Sequence, residues 1–313
     1  MKLENSVIKT LIIGAARVWD TPDGLKYSRL SETQAETWKK ESEWFNKIVL
    51  SGEGVILDFD TDSEYFSFTI SEKSNAEIWV DGLFFADYSN VIEVKCNFSS
   101  DNFRKMRHIV CYLPGQGAVR NFAVSDKAAI EKHKYERRIL FIGDSITNGG
   151  CSHYAGASYP NITARAFNAE RFITGVGGGY FLPAFFEKTD FQPDIVIVAF
   201  GTNDFSNNEN FGTIKEKAEI FLRLVSENYR NKKLFCISPI WRKTDKKLSG
   251  GENFSEYCGK LKTVISESGF TLIEGNKLVP HDERFFDDGE LHPNALGHYM
   301  YAENLIKFLR KEI

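Results

Sequence analysis

Residues 194–200 read Asp194-Ile195-Val196-Ile197-Val198-Ala199-Phe200 (DIVIVAF), a nearly unbroken apolar run of strand length. A strand with one wet face alternates apolar and polar residues. A run without alternation is buried on both faces, as in a parallel sheet covered by helices. Working outward, Arg138–Ile142 (RILFI), Arg171–Thr174, Leu234–Ser238 and Phe270–Glu274 repeat the strand signal. Between and after them, Tyr159–Asn168, Ile214–Tyr229, Phe254–Ser268 and Ala295–Lys311 carry helical periodicity. Alternating strand and helix predicts an α/β fold, a three-layer α/β/α domain with a parallel sheet in the middle.

The preceding half has a different rhythm. Val55–Phe59, Tyr65–Ile70, Glu77–Val80, Leu83–Ala86, Val91–Cys96, His108–Leu113 and Val119–Val124 are short strand-like runs with no long helix between them. Asp81-Gly82 is a two-residue hairpin signal of the type I′ kind. Ser31–Asn46 has a weaker helical pattern. The pattern predicts an N-terminal β-sandwich of jelly-roll type over residues 1–130 and an α/β domain over 131–313, joined through the charged stretch SDKAAIEKHKYERR.

Composition narrows the function. With 313 residues, 42% hydrophobic and 26% charged, the chain is long enough for two cores, and disorder or a fibrous repeat is excluded. Thirty-nine basic against 43 acidic residues give a net charge of −4, so no general basic field exists for nucleic acid. The 5 cysteines are odd in number and form no CxxC pair, which argues against a disulfide framework or a thiolate zinc centre. No apolar run reaches membrane-spanning length, and MKLENSVIKTLI lacks a signal-peptide core, so a cytoplasmic, membrane-free protein is expected. Aromatics make up 14% of the chain and include 26 Phe, pointing to large cores, a sugar- or acyl-facing surface, or both.

In an open parallel sheet, ligands bind beyond the carboxyl ends of the strands. RILFI runs into Gly143-Asp144-Ser145, the strand near Phe172 into Gly175-Val176-Gly177-Gly178-Gly179, and DIVIVAF into Gly201-Thr202-Asn203-Asp204. LFCIS runs into Pro239-Ile240-Trp241, and Asp287-Asp288-Gly289-Glu290-Leu291-His292-Pro293 precedes the last helix. One rim thus gathers a serine, a glycine turn, an amide and a histidine, the parts of an acyl-transfer site. Each also has an ordinary use: Ser145 as a helix cap, Asn203 as a turn residue, the glycines as a flexible turn.

FIGDSITNGG, GVGGG, FGTND and ELHPNALGH resemble, in order and context, the successive blocks of the SGNH (GDSL-like) hydrolase superfamily, over about residues 138–313. The resemblance implies a flavodoxin-like catalytic domain. It makes Ser145 the nucleophile and His292 the general base, with the Ser145 and Gly178 N–H groups and the Asn203 amide as oxyanion donors. The family's acid usually stands three residues before the histidine, where this chain has Gly289. The remaining choices are Asp288, reached by a one-residue shift and favoured, or a Ser–His dyad. A second departure is Ile173, where the glycine block often carries asparagine.

A β-domain before such a hydrolase resembles two-domain carbohydrate esterases. The reading is therefore a serine esterase, independent of metal and cofactor, that removes small acyl groups, expected to be acetyl, from a small-molecule or oligosaccharide substrate. Competing readings are a lipase-like acylhydrolase, thioesterase or acyltransferase of the same chemistry, and a non-catalytic carbohydrate-binding protein. Tyr180, Phe181 and Trp241 stand where a substrate wall is expected. Trp19, Trp38, Trp44 and Trp79 are candidates for sugar stacking, with core packing as the alternative.

Overall fold

The computed structural model describes residues 1–49, 51–52, 54–98 and 105–313. The chain divides into two compact units, Met1–Ala35 with Glu43–Tyr135, and Glu36–Ser42 with Glu136–Ile313. The break falls after Tyr135, five residues beyond the expected boundary.

In the first unit the strands are β1 (Ile12–Ile13), β2 (Arg17–Thr21), β3 (Gly24–Ser28), β4 (Ile56–Thr61), β5 (Tyr65–Val80), β6 (Leu83–Asn97), β7 (Arg107–Tyr112), β8 (Val119–Val124) and β9 (Ile130–Glu131). They form one antiparallel sheet in the order β1-β4-β7-β5-β8-β3-β2, with β6 on β5 and β9 on β4. A core of Leu57, Phe59, Phe66, Phe68, Ile78, Val94, Ile109 and Phe122 fills its curl.

Four of the expected short strands are two long ones. Tyr65–Ile70 and Glu77–Val80 are the ends of the 16-residue β5, and Leu83–Ala86 and Val91–Cys96 lie within β6. The polar stretch Ser71–Asn75 has the composition of a turn. The chain stays paired through it because register shifts between Thr69 and Ala76 absorb extra residues and bend the ribbon. One end of β5 therefore pairs with β8 and the other with β7. Asp81 (φ 53°) and Gly82 (φ 80°) both take the left-handed conformation the type I′ turn demands.

Three short helices belong to the N-terminal part of the chain: α1 (Asn5–Leu11), α2 (Glu32–Glu41) and α3 (Phe45–Ile48). The second and third replace the single helix expected over Ser31–Asn46.

The second unit holds β10 (Arg137–Gly143), β11 (Ala169–Gly175), β12 (Ile195–Ala199), β13 (Lys233–Ile237) and β14 (Thr271–Ile273), all parallel, in the order β11-β10-β12-β13-β14. Its helices are α4 (Tyr159–Ala166), α5 (Thr202–Ser206), α6 (Phe211–Asn228), α7 (Phe254–Glu267) and α8 (Ala295–Glu312). Ile139, Phe141, Ile195, Ile197, Phe235 and Ile237 share a cluster with Tyr159 of α4 and Tyr301, Leu305 and Leu309 of α8. The alternate residues Leu140, Ile142, Val196 and Val198 are buried too, so both faces of the sheet are covered, as DIVIVAF requires. No helix among the described residues is long and apolar enough to cross a membrane.

Candidate active site

The nucleophile turn begins where β10 ends. Only glycine fits at 143, since a Cβ there would lie 2.2 Å from Thr147 Oγ1 and 2.7 Å from Ala199 O. The chain then turns sharply, with the Ile146 N–H donating to Asp144 Oδ1 at 2.9 Å. Burial pushes the Asp144 carboxyl up to about 6, against that hydrogen bond and the nearby His292. Half-buried Ser145 follows.

Two chain segments meet at Ser145, its own turn and the loop of residues 288–292. Its Oγ lies 3.1 Å from His292 Nε2. On the far side of the ring, His292 Nδ1 lies 2.7 Å from Asp288 Oδ2. The other oxygen, Oδ1, accepts N–H bonds from Glu290 (2.9 Å), Leu291 (2.7 Å) and His292 itself (3.1 Å). Partial burial raises the Asp288 carboxyl. The N–H groups of Leu291 and Glu290, and the imidazole, outweigh that and hold it at about 2. Gly289, at the position where the family's acid is usual, has φ 71°, which a side chain resists. Its turn brings the carboxylate one residue earlier onto the ring.

In the glycine turn after β11, Gly178 also takes a positive φ (73°). Among the described residues, the N–H groups of Ser145 and Gly178 donate to no protein acceptor. Asn203 is the second residue of α5, whose N-cap is Gly201, and its Nδ2 donates to Gly179 O at 2.8 Å. That bond fixes the amide plane and leaves a second N–H on the same nitrogen.

Tyr180 is half-buried, donates its hydroxyl to Glu41 and meets the Trp38 ring edge-on at 5.2 Å. Trp241 is half-buried between Phe286 (5.1 Å) and the His281 ring (5.9 Å). Phe181 does not line a substrate wall. It is fully buried against Phe200 and Phe221 in the core. Trp38 is likewise fully buried, which removes it from the sugar-stacking candidates, while Trp19 and Trp44 are exposed.

Two supporting residues lacked a sequence signal of their own. His298 is fully buried; its Nδ1 accepts from the Tyr159 N–H (3.2 Å) and its Nε2 donates to Gly150 O (3.0 Å). Gly150 in turn donates to Ser145 O at 2.8 Å, so the ring ties the nucleophile turn to α8. Burial holds this imidazole neutral, its pKa lowered to about 4. Asp204 was visible only as part of the Gly-Thr-Asn-Asp block. Its Oδ1 accepts from the Phe181 N–H at 3.1 Å, anchoring the chain just after the glycine turn.

Burial pushes Asp204 up to about 7, above its usual range near 4. The folded state therefore favours the protonated acid, and stability falls as pH rises from about 4 through 7. Asp204→Asn keeps an acceptor for Phe181 and cannot ionise. The variant should gain stability over the wild type at pH 8, on the order of a few kcal/mol, and much less at pH 4. Melting curves at both pH values check this; an equal change at both would refute it.

The geometry is that of an ester-cleaving serine site on a doubly covered parallel sheet. The chain belongs to the GDSL-like lipase/acylhydrolase family, whose model matches residues 141–300. A curated relative is the cellulase/esterase CelE of Acetivibrio thermocellus, 27% identical over 218 residues. That match covers 57% of this chain and only 26% of CelE, so the chain spans a minor part of that protein's length. Among solved structures, the salicylyl-acyltransferase SsfX3 from a tetracycline biosynthetic pathway superposes with a TM-score of 0.77 at 16% identity, covering 96% of this chain and 94% of that one. The acetyl xylan esterase Est2A from the rumen bacterium Butyrivibrio proteoclasticus superposes at 0.61 with 18% identity, covering 84% and 90%. At such identities the likeness is one of fold.

Proposed function

We propose that this enzyme removes small acyl groups, acetyl in the first place, from a hydroxylated carbohydrate through an acyl-serine intermediate. The observation that carries the reading is the unbroken chain from Ser145 Oγ through His292 to Asp288. His292 Nε2 accepts the Ser145 proton as Oγ attacks the ester carbonyl carbon. The resulting oxyanion is held by the Ser145 and Gly178 N–H groups and the second N–H of Asn203. Collapse breaks the bond to the alcohol oxygen, which leaves with the proton from His292. Water then gives a proton to His292 and attacks the acyl-serine; the acid departs and Ser145 recovers its proton. The carbohydrate and acetyl parts rest on the likeness to Est2A and CelE, with Trp241 and Tyr180 proposed as walls of the acyl or sugar site.

The test is a panel of p-nitrophenyl esters from acetyl to long acyl, together with an acetylated xylo-oligosaccharide. Turnover highest on acetyl, with free acetate released from the oligosaccharide, is expected. No hydrolysis of any ester would overturn the reading. The likeness to SsfX3 favours one alternative, transfer of the acyl group to an acceptor alcohol. An acyl ester formed faster than free acid when an acceptor is added would establish that reading instead.

A further inference from the structure

Outside the esterase site, the first unit gathers a second set of chemically capable side chains. Asp58 and Asp60 lie on the face of β4 opposite the core residues Leu57 and Phe59. His108, on β7, is the cross-strand partner of Asp60. His133 arrives from the segment after β9, which pairs with β4 on its other side. One donor atom each from Asp60, His108 and His133 lie within 4.8 Å of one another, and no other trio of His, Cys, Asp or Glu among the described residues does so.

Three features fit a cation better than a mere hydrogen-bond cluster. The donors are two imidazoles and a carboxylate, the N/O set suited to zinc and its neighbours, with solvent able to supply a fourth ligand because the three side chains are 20–26% exposed. Behind them stands a second carboxylate. Asp58, only 2% exposed, accepts from Tyr135 Oη at 2.6 Å and pairs with His108 Nε2 at 3.0 Å. That pairing fixes the His108 tautomer with Nδ1 as the free donor atom, the outer-shell arrangement metal-bound histidines use. Finally, the two rings stack at 3.6 Å, only 9° from parallel, against two carboxylates. Such crowding of donors and negative charge is relieved by a divalent ion. Closing on it asks donor–donor distances to contract to roughly 3.3 Å, which the soft χ2 torsion of histidine allows by fanning the rings apart.

We propose that Asp60, His108 and His133 form a binding site for a divalent transition-metal ion, zinc being the best match, with Asp58 orienting His108. This revises the expectation, drawn from the sequence, of a protein without metal. The ion would brace β4, β7 and the segment after β9, and it lies outside the ester-cleaving machinery.

The test uses the full chain dialysed against chelator and titrated calorimetrically with zinc chloride. One equivalent should bind and raise the melting temperature. His133→Ala and Asp60→Asn should each lose that equivalent while hydrolysing p-nitrophenyl acetate at the wild-type rate. X-ray absorption at the zinc edge of the wild-type protein reads the ligands without any variant, and two imidazoles in the first shell are expected. Absence of stoichiometric binding by the wild type overturns the proposal, as does an absorption spectrum with fewer than two imidazoles. Undiminished zinc binding by both folded variants does the same.

Discussion

Ser145→Ala should lower kcat on an activated acetyl ester by about 10⁶ and leave the fold intact. That corresponds to about 8 kcal/mol of transition-state stabilisation. The side chain is half-buried at the tip of a turn whose shape is set by Gly143, Asp144 and the Gly150 link rather than by its hydroxyl. Losing the hydroxyl therefore removes the nucleophile without removing a structural bond other than the one to His292. The backbone donors remain, so a residual rate above that in water persists. Burst and steady-state kinetics with p-nitrophenyl acetate, and a melting curve, measure both halves. Activity within tenfold of wild type would assign the nucleophile elsewhere.

The second large effect is Asp288→Asn, expected to lower turnover by about 10⁴. Asparagine retains an oxygen for the N–H groups of Glu290 and Leu291, so the loop keeps its shape. Opposite His292 Nδ1, however, an amide NH₂ replaces a carboxylate oxygen. The imidazole then moves its proton to Nε2, facing Ser145 Oγ, where an acceptor is needed. Glu290→Gln is the matched control, since Glu290 offers its N–H, not its side chain, to Asp288. The control should retain its rate. A loss in Glu290→Gln equal to that in Asp288→Asn, or no loss in Asp288→Asn, would leave the site a dyad. With its carboxyl held at about 2, Asp288 stays ionised across any ordinary assay pH. Its contribution to folding is present above the usual aspartate value near 4 and is lost only as pH falls through about 2.

Much of the second unit was legible because each of its signals is local. An apolar run such as DIVIVAF reports burial on both faces, and the turns after β10 and β12 carry their chemistry within a few residues of the strand end. What sequence could not resolve was long-range. Phe181 and Tyr180 are neighbours of similar size, yet only packing against Phe200 and Phe221 decides that the first is core. The continuous β5–β6 ribbon was hidden because its polar middle reads as a turn, and pairing through a bulge leaves no compositional trace. The grouping of His108 and His133 leaves no local trace for the same reason: Asp60 lies far from both along the chain and meets them only across the sheet.

The four-residue spacing of Asp288 and His292 has a consequence for how this sequence can drift. Acid and base ride on one short loop that ties itself together through its own backbone, so they travel as a cassette. The contact that must be kept in register across the molecule is that between Oγ and Nε2, which joins residues 147 apart in the chain. Insertions and deletions elsewhere in the second unit therefore act on the site through that distance and through the placement of Gly178 and Asn203. A single residue added between 288 and 292 would break the cassette from within, whatever the rest of the fold does.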